Sequence, residues 1–270
     1  MADAPGHWPL DALTREGAAV FPGFRAEAVE SVDSTNTELM RRARAGRLSP
    51  TLLVAEVQTA GRGRLGRPWV SGALVNGPSR TGLQALTFSL GLCLAPRDWS
   101  GLSLAVGVSV ARALHPALQL KWPNDLWLEG RKLGGILIET AQVAGERCAV
   151  IGVGINLQPP DAAGLSVPPA CLQELLPGCD AASALARIVP ELLAALRTFE
   201  ARGLAPFLEE FHARDLLRGR TVVLSDGTSG TARGIDAGGG LLVHTPAGMT
   251  TITSSEVSVR PADHAAGRGH

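Results

Sequence analysis

The segment QTAGRGRLGRPW, residues 58–69, constrains the fold more than any other because of what encloses it. TLLVAEV (51–57) precedes it and LQALTFSLGLCL (83–94) follows it, both apolar runs of strand length. A glycine- and arginine-rich segment between two such runs reads as a loop at one end of a sheet. Gly61, Gly63 and Gly66 make its backbone pliable, Pro68 closes it, and Arg62, Arg64 and Arg67 place three guanidiniums on it. GRGRLG fits G-x-G-x-x-G, but a dinucleotide fingerprint opens a helix and this one runs into Arg67-Pro68-Trp69. Arg-Gly segments that bind RNA are longer and disordered. Two readings stay open: a merely solvated loop, or an anion clamp. In the second, inward-turned backbone N–H groups and bidentate guanidiniums hold a triphosphate, a carboxylate or both.

The remaining chain supplies a sheet and its cover. DSTNTELMRRARAG carries Thr35 and Glu38 at capping-box spacing and predicts a helix over 36–45, stopped by Gly46. GLSLAVGVSVARAL (101–114) predicts a buried helix. LQLKW and DLWLEG read as strands around Pro123, Glu129-Gly130-Arg131 as a turn, and KLGGILIET and CAVIGVGINL as further strands. Residues 1–30 read as a peripheral strand and helix, and 169–215 as mainly helical. Near residue 216 the texture shifts to short apolar pairs separated by Asp-Gly, Gly-Gly and Pro-Ala-Gly turns, the pattern of a small all-β barrel. The expected division is 1–215, 216–262 and a disordered tail over 263–270.

Several function classes are disfavoured. The formal net charge is zero, so no general attraction to nucleic acid or anionic membrane is expected. No apolar run approaches the ~20 residues needed to span a bilayer, and the N-terminus lacks the pattern of a secretion signal. Cys93, Cys148, Cys171 and Cys179 form no CxxC pair and read as reduced, buried or half-buried thiols of a cytoplasmic protein. No His lies in a motif, so a nucleophilic triad is not expected. Of 25 basic residues only Lys121 and Lys132 are lysines, and they stand close together in LKWPNDLWLEGRKLGGIL. Codon bias explains scarce lysines but not their clustering, which marks both as site candidates. Asn124 and Asp125 add a hydrogen-bonding pair and a carboxylate, and Gly134 and Gly135 admit close approach to a strand. Arginines, a lysine and a carboxylate without a nucleophile suit phosphate chemistry by positioning and charge stabilisation.

Ser34-Thr35-Asn36, the Gln58–Arg64 segment with Gly66, Arg67 and Trp69, Lys121-Trp122-Pro123-Asn124-Asp125, Lys132-Leu133-Gly134-Gly135-Ile136-Leu137 and Gly152-Val153-Gly154-Ile155-Asn156 stand in the order of the signature series of biotin–protein ligases. From about residue 30 to 260 the chain resembles that family, in its monofunctional form; too few residues precede Ser34 for the DNA-binding module that some members carry. The resemblance implies an α/β (α+β) fold, a mixed sheet backed by helices, with a C-terminal SH3-like β-barrel. It implies a cytoplasmic monomer or homodimer that uses ATP, biotin and Mg²⁺. Biotin's carboxylate would attack the α-phosphate of ATP to give biotinyl-5′-AMP, and a lysine of a biotin carboxyl carrier domain would then take the biotinyl group. Ser34, Thr35, Asn36, Gln58, Gly61, Arg62, Gly63, Arg64, Lys132, Gly134 and Gly135 would contact biotin or its adenylate. Arg67, Trp69, Lys121, Asn124 and Asn156 would serve ATP. Lys132 and Arg64 would steady the reacting carboxylate and phosphate, and Asp125 would orient the incoming lysine or accept its proton. A lipoate or octanoate ligase or transferase shares this fold, and a non-catalytic regulator that binds the adenylate is the rival of another class. The segment VSGALVNGPSRTGLQALTFSL departs from the family pattern, which leaves its part of the pocket unassigned.

Overall fold

The computed structural model describes residues 8–70, 75–77, 80–159, 169–224, 227–253 and 260–261. Helix α1 (Leu10–Val20) leads into β1 (Arg25–Val32), α2 (Thr35–Arg44) and β2 (Thr51–Gln58). A short hairpin of β3 (Val75–Gly77) and β4 (Arg80–Gly82) occupies part of the divergent segment. Then come β5 (Ala85–Cys93), α3 (Leu102–Leu114), β6 (Gln119–Lys121), β7 (Asp125–Leu128), β8 (Arg131–Val143) and β9 (Glu146–Asn156). Helices α4 (Ala181–Arg202) and α5 (Leu208–Arg214) precede β10 (Thr221–Val223), β11 (Ser229–Ile235), β12 (Leu241–Thr245), β13 (Gly248–Ile252) and β14 (Arg260–Pro261).

Seven strands form one sheet in the order β1-β2-β5-β9-β8-β7-β6. Its β1–β2 pair is parallel and the rest antiparallel, so the sheet is mixed as expected. Alternation along β2 sorts the core. Leu52 and Val54 belong with α3 and α4 side chains such as Val108, Leu192 and Leu196, whereas Leu53 belongs with Leu39 and Met40 of α2 on the other face. Burying each such side chain contributes about 1.5–3 kcal/mol, enough to fix the strand register and the seat of α2.

The C-terminal strands form a separate antiparallel sheet, β13-β12-β11-β10-β14, which is the small all-β unit expected from residue 216 onward. It meets the first sheet at Trp122, whose indole Nε1 donates to the Gly239 carbonyl over 2.9 Å. Among the described residues no helix is long and apolar enough to cross a membrane. The expected tail over 263–270 lies outside the described residues.

Two expectations need correction. The cap of α2 is Ser34, whose Oγ accepts from the Thr37 N–H at 3.4 Å; Glu38 instead pairs with Arg41 and Arg42. The cysteines are not all reduced. Cys93 on β5 and Cys148 on β9 are register partners and form a disulfide, while Cys171 and Cys179 are free and buried. Only the pairing of β5 with β9, invisible in the cysteine spacing, brings the first two together.

Candidate active site

A cleft of about 200 Å³ opens where α2 begins, between the Gly-Arg loop, the β6–β7 turn and β5, β8 and β9. Its first wall is a polar relay. Gln58, at the end of β2, accepts at Oε1 from the Thr35 N–H (2.8 Å) and from the Thr35 hydroxyl (3.1 Å). The Thr35 hydroxyl lies 2.7 Å from Ser89 Oγ on β5, and Ser89 donates to Asn36 Oδ1 over 2.6 Å. Asn36 donates in turn to the Leu137 carbonyl (3.2 Å) and to Glu139 Oε2 (3.1 Å). Ser34, Thr35, Asn36 and Ser89 are all buried, so these bonds fix the relay as a unit. Gly152 permits this packing: a Cβ there would lie 2.2 Å from Asn36 Oδ1.

The second wall is the Gly-Arg loop. Part of its backbone polarity is used within the loop itself. The Gly63 N–H bonds the Arg67 carbonyl (2.7 Å) and the Trp69 N–H bonds the Gly61 carbonyl (2.8 Å), because the chain folds back on itself around a short 3-10 turn, Arg64–Gly66. Leu65 at its tip takes a left-handed φ of 56°, a conformation that costs a non-glycine residue about 1–2 kcal/mol. Arginine side chains add further polarity to this wall. Arg62 pairs with Glu139 at 3.2 Å. Half-buried Arg64 donates to Asn124 Oδ1 at 3.2 Å. Burial pushes the Arg64 guanidinium below its usual value, the Asp125 carboxylate opposes that, and Arg67 adds to it. The Trp69 ring lies on Gly154, where a Cβ would come within 2.6 Å of it, and its Nε1 is buried with no hydrogen-bond partner among the described residues.

The third wall holds the two lysines. Lys132 Nζ meets Asp125 Oδ1 at 2.7 Å, with Lys132 half-exposed and Asp125 largely enclosed. Their strands pair so that Asp125 stands opposite Gly135, whose missing Cβ would sit 3.5 Å from both charged atoms. Lys121 lies 5.0 Å from the centre of the Trp127 ring. Asn124 donates from Nδ2 to the Ile136 carbonyl at 2.7 Å, which leaves its Oδ1 to receive Arg64.

Of the sequence-predicted residues, Ser34, Thr35, Asn36, Gln58, Arg62, Gly63, Arg64, Arg67, Trp69, Lys121, Asn124, Asp125, Lys132 and Gly135 line this one cleft. Three do not. Asn156 is buried and gives its amide N–H to the Ala170 carbonyl at 3.1 Å. Gly61 lies under the Trp69 carbonyl and Gly134 against the Gly154 carbonyl, so both serve backbone packing. The sequence reading missed Ser89 and Glu139. Ser89 carried one signal, a hydroxyl two places after Thr87 in an otherwise apolar strand; Glu139 carried none. Among the described residues no group of three or more His, Cys, Asp or Glu side chains is placed to hold a metal. The cleft is thus a cationic, donor-rich surface around a single carboxylate, beside a buried polar relay. It can hold an anion at Lys132, Arg64 and Arg67 and a small polar group at Thr35 and Asn36.

Comparison with known proteins agrees with this chemistry. Residues 28–156 match the model of the biotin/lipoate A/B protein ligase family, and residues 219–260 that of the biotin protein ligase C terminal domain. The chain is 36% identical over 243 residues to the bifunctional ligase/repressor BirA of Escherichia coli, covering 86% of this chain and 73% of that protein. It is 32% identical over 240 residues to the biotin--[acetyl-CoA-carboxylase] ligase of Paracoccus denitrificans, covering 83% and 96%. The structure superposes on a biotin protein ligase from Aquifex aeolicus in complex with biotin and ATP, with a TM-score of 0.71, 28% identity and coverage of 88% and 99%.

Proposed function

Since the chain belongs to the biotin protein ligase family, we propose that it activates biotin with ATP as biotinyl-5′-AMP and transfers the biotinyl group to a lysine of a biotin carboxyl carrier domain. The observation that carries this reading is the convergence of five separate motifs on one cleft, with Lys132 and Asp125 2.7 Å apart at its charged end. Residues 1–215 form the catalytic unit in this reading and 216–262 the appended β unit.

In the first step a biotin carboxylate oxygen forms a bond to the α-phosphorus, and the bond from that phosphorus to the bridging oxygen breaks, so pyrophosphate leaves with the electron pair. Lys132 holds the carboxylate by charge and then faces the negative charge that builds on the phosphoryl oxygens. Arg64, half-buried and oriented by Asn124, covers the same phosphate, and Arg67 receives the departing pyrophosphate. Trp69 and Lys121 line the nucleotide end. In the second step the acceptor lysine amine attacks the acyl carbon and AMP leaves. Asp125, next to Lys132, orients that amine and takes its proton.

Mg²⁺ would travel with ATP. The one cleft carboxylate among the described residues, Asp125, already faces the Lys132 ammonium at 2.7 Å, so the ion would be carried by phosphate oxygens and water. Bound there, the ion would neutralise charge on the leaving pyrophosphate. The acceptor is a carboxylase carrier domain, and the enzyme works in the cytoplasm.

Pyrophosphate release from ATP and Mg²⁺, with biotin, lipoate or octanoate supplied separately, tests the reading. Release with biotin alone supports it. Release with lipoate or octanoate keeps the fold and the adenylation chemistry but replaces the substrate, and silence with all three removes the enzyme assignment.

A further inference from the structure

We infer that the tip of the Gly-Arg loop is a docking point for the acceptor protein, with Leu65 as its anchor, and that it fits an acceptor whose lysine stands beside an apolar side chain on an acidic surface. The loop is a small hairpin. Arg62 bridges Pro68 across it, and its tip is a tight turn closed by the Arg67 N–H on the Arg64 carbonyl at 3.2 Å. Both central residues of that turn take left-handed backbone, Leu65 with φ 56° and Gly66 with φ 69°. Asn-Gly or Gly-Gly is the pair that such a turn favours. Leucine is opposed there twice. Its Cβ crowds the left-handed backbone, and its side chain is left 58% exposed to water. Backbone strain of this kind collects where a ligand or a partner is held.

The exposed apolar surface is concentrated rather than scattered. Among the described residues the exposed large hydrophobic side chains are Leu65, Val70 and Met249, and two of these three stand on this loop and its exit. Leu65 also lines the cleft that holds Lys132 and Asp125. An amine delivered by a folded protein must bring that protein's surface against this rim, whereas free biotin and ATP carry no such surface. Arg62 and Arg67 flank Leu65 and are both exposed. The chain as a whole has no net charge, so this basic rim is a local feature, complementary to acidic groups on a partner. An apolar anchor ringed by charge is the pattern of a protein–protein contact rather than of a small-molecule pocket. The inference rests on the biotinyl-transfer reading and concerns its second step.

The test is biotinyl transfer by the whole chain to the unmodified biotin carboxyl carrier domain of acetyl-CoA carboxylase, with pyrophosphate release measured beside it without acceptor. Leu65→Asn installs the pair that the turn favours, so its Tm should be no lower than that of the unaltered protein. It should raise the KM for the carrier domain by about tenfold or more. The biotin and ATP concentrations that half-saturate pyrophosphate release should move by less than about twofold. Leu65→Met, which keeps an apolar side chain at the tip, should stay within about threefold of the unaltered protein for the carrier domain. An unchanged carrier KM in Leu65→Asn overturns the docking point. Equal rises for carrier, biotin and ATP overturn it too, because Leu65 would then cover the small ligands. A loss of dimer on sedimentation with an unchanged carrier KM gives the tip to a second copy of this chain instead. Pyrophosphate release by the unaltered protein without labelling of the carrier domain overturns the acceptor assigned here. If that protein releases no pyrophosphate with biotin, the functional reading itself falls and takes the docking point with it; if it labels the carrier domain and ignores Leu65, only the docking point falls.

Discussion

Gly152→Ala puts one methyl group where the cleft has no room for it. In a strand with ordinary backbone angles, alanine in place of glycine stabilises a protein by about 0.4–1 kcal/mol, mainly by restricting the unfolded chain. Here the new Cβ would stand 2.2 Å from Asn36 Oδ1 and 2.9 Å from its Cγ, more than about 1 Å inside van der Waals contact. Asn36 cannot yield that distance and keep its bonds to Ser89, Leu137 and Glu139. Overpacking a core costs about 1–3 kcal/mol, and each lost hydrogen bond about 1 kcal/mol. The net expectation is a loss of about 2–4 kcal/mol, a fall in Tm of about 5–15 °C for a domain of this size, together with weaker biotin binding. Calorimetric melting of Gly152→Ala, Asn36→Ala and the double variant isolates the cause. Removing the Asn36 side chain should relieve the clash, so the two changes should couple by about 1–3 kcal/mol. Additive losses, or a Gly152→Ala protein as stable as the original, would refute the reasoning.

Other variants probe the charged end. Lys132→Ala should keep its Tm within about 2 °C, because the half-exposed pair with Asp125 contributes ~1 kcal/mol or less, while biotin-dependent pyrophosphate release slows by about a hundredfold or more. Arg64→Ala should also release adenylate into solution, seen as biotin labelling of bystander proteins added to the assay; labelling no higher than with the unaltered protein would remove Arg64 from the phosphate. Asp215 offers a pH test. Burial pushes its carboxyl above the ordinary value, and its Oδ2 is buried with no hydrogen-bond partner among the described residues. The folded state thus holds this proton more tightly than the unfolded state, so stability is lost as pH rises from the unfolded value through the folded one. Asp215→Asn, which keeps an acceptor for the Leu217 N–H, should raise the Tm at pH 7 and have little effect near pH 3.

Where residue types are locally unusual, the sequence spoke clearly. A Gly-Arg loop between apolar runs, a lysine pair in a chain almost without lysines, and the Gly-Gly and Pro-Ala-Gly turns between β11, β12 and β13 became the elements they suggested. What stayed hidden depends on register. Glu139 is an ordinary strand carboxylate until β8 lies beside α2. Asn156, at the end of a glycine-bearing strand, gives no hint in the sequence that its side-chain amide donates to the Ala170 carbonyl. Cys93 and Cys148 are 55 residues apart and meet only because β5 pairs with β9. The Gly-Arg loop shows the same limit: nothing in its spacing tells that the Gly63 N–H is taken by the Arg67 carbonyl within the loop.

Both ε-amines of the chain, on Lys121 and Lys132, line a single cleft. Most proteins scatter such amines over their surface, so acylating dyes tag them at random. In this chain, apart from the α-amine at the N-terminus, a succinimidyl ester has nowhere to couple but the cleft. A fluorophore on either lysine would then report directly on whatever enters beside it, and a ligand that fills the cleft would shield both ε-amines and leave the α-amine to label.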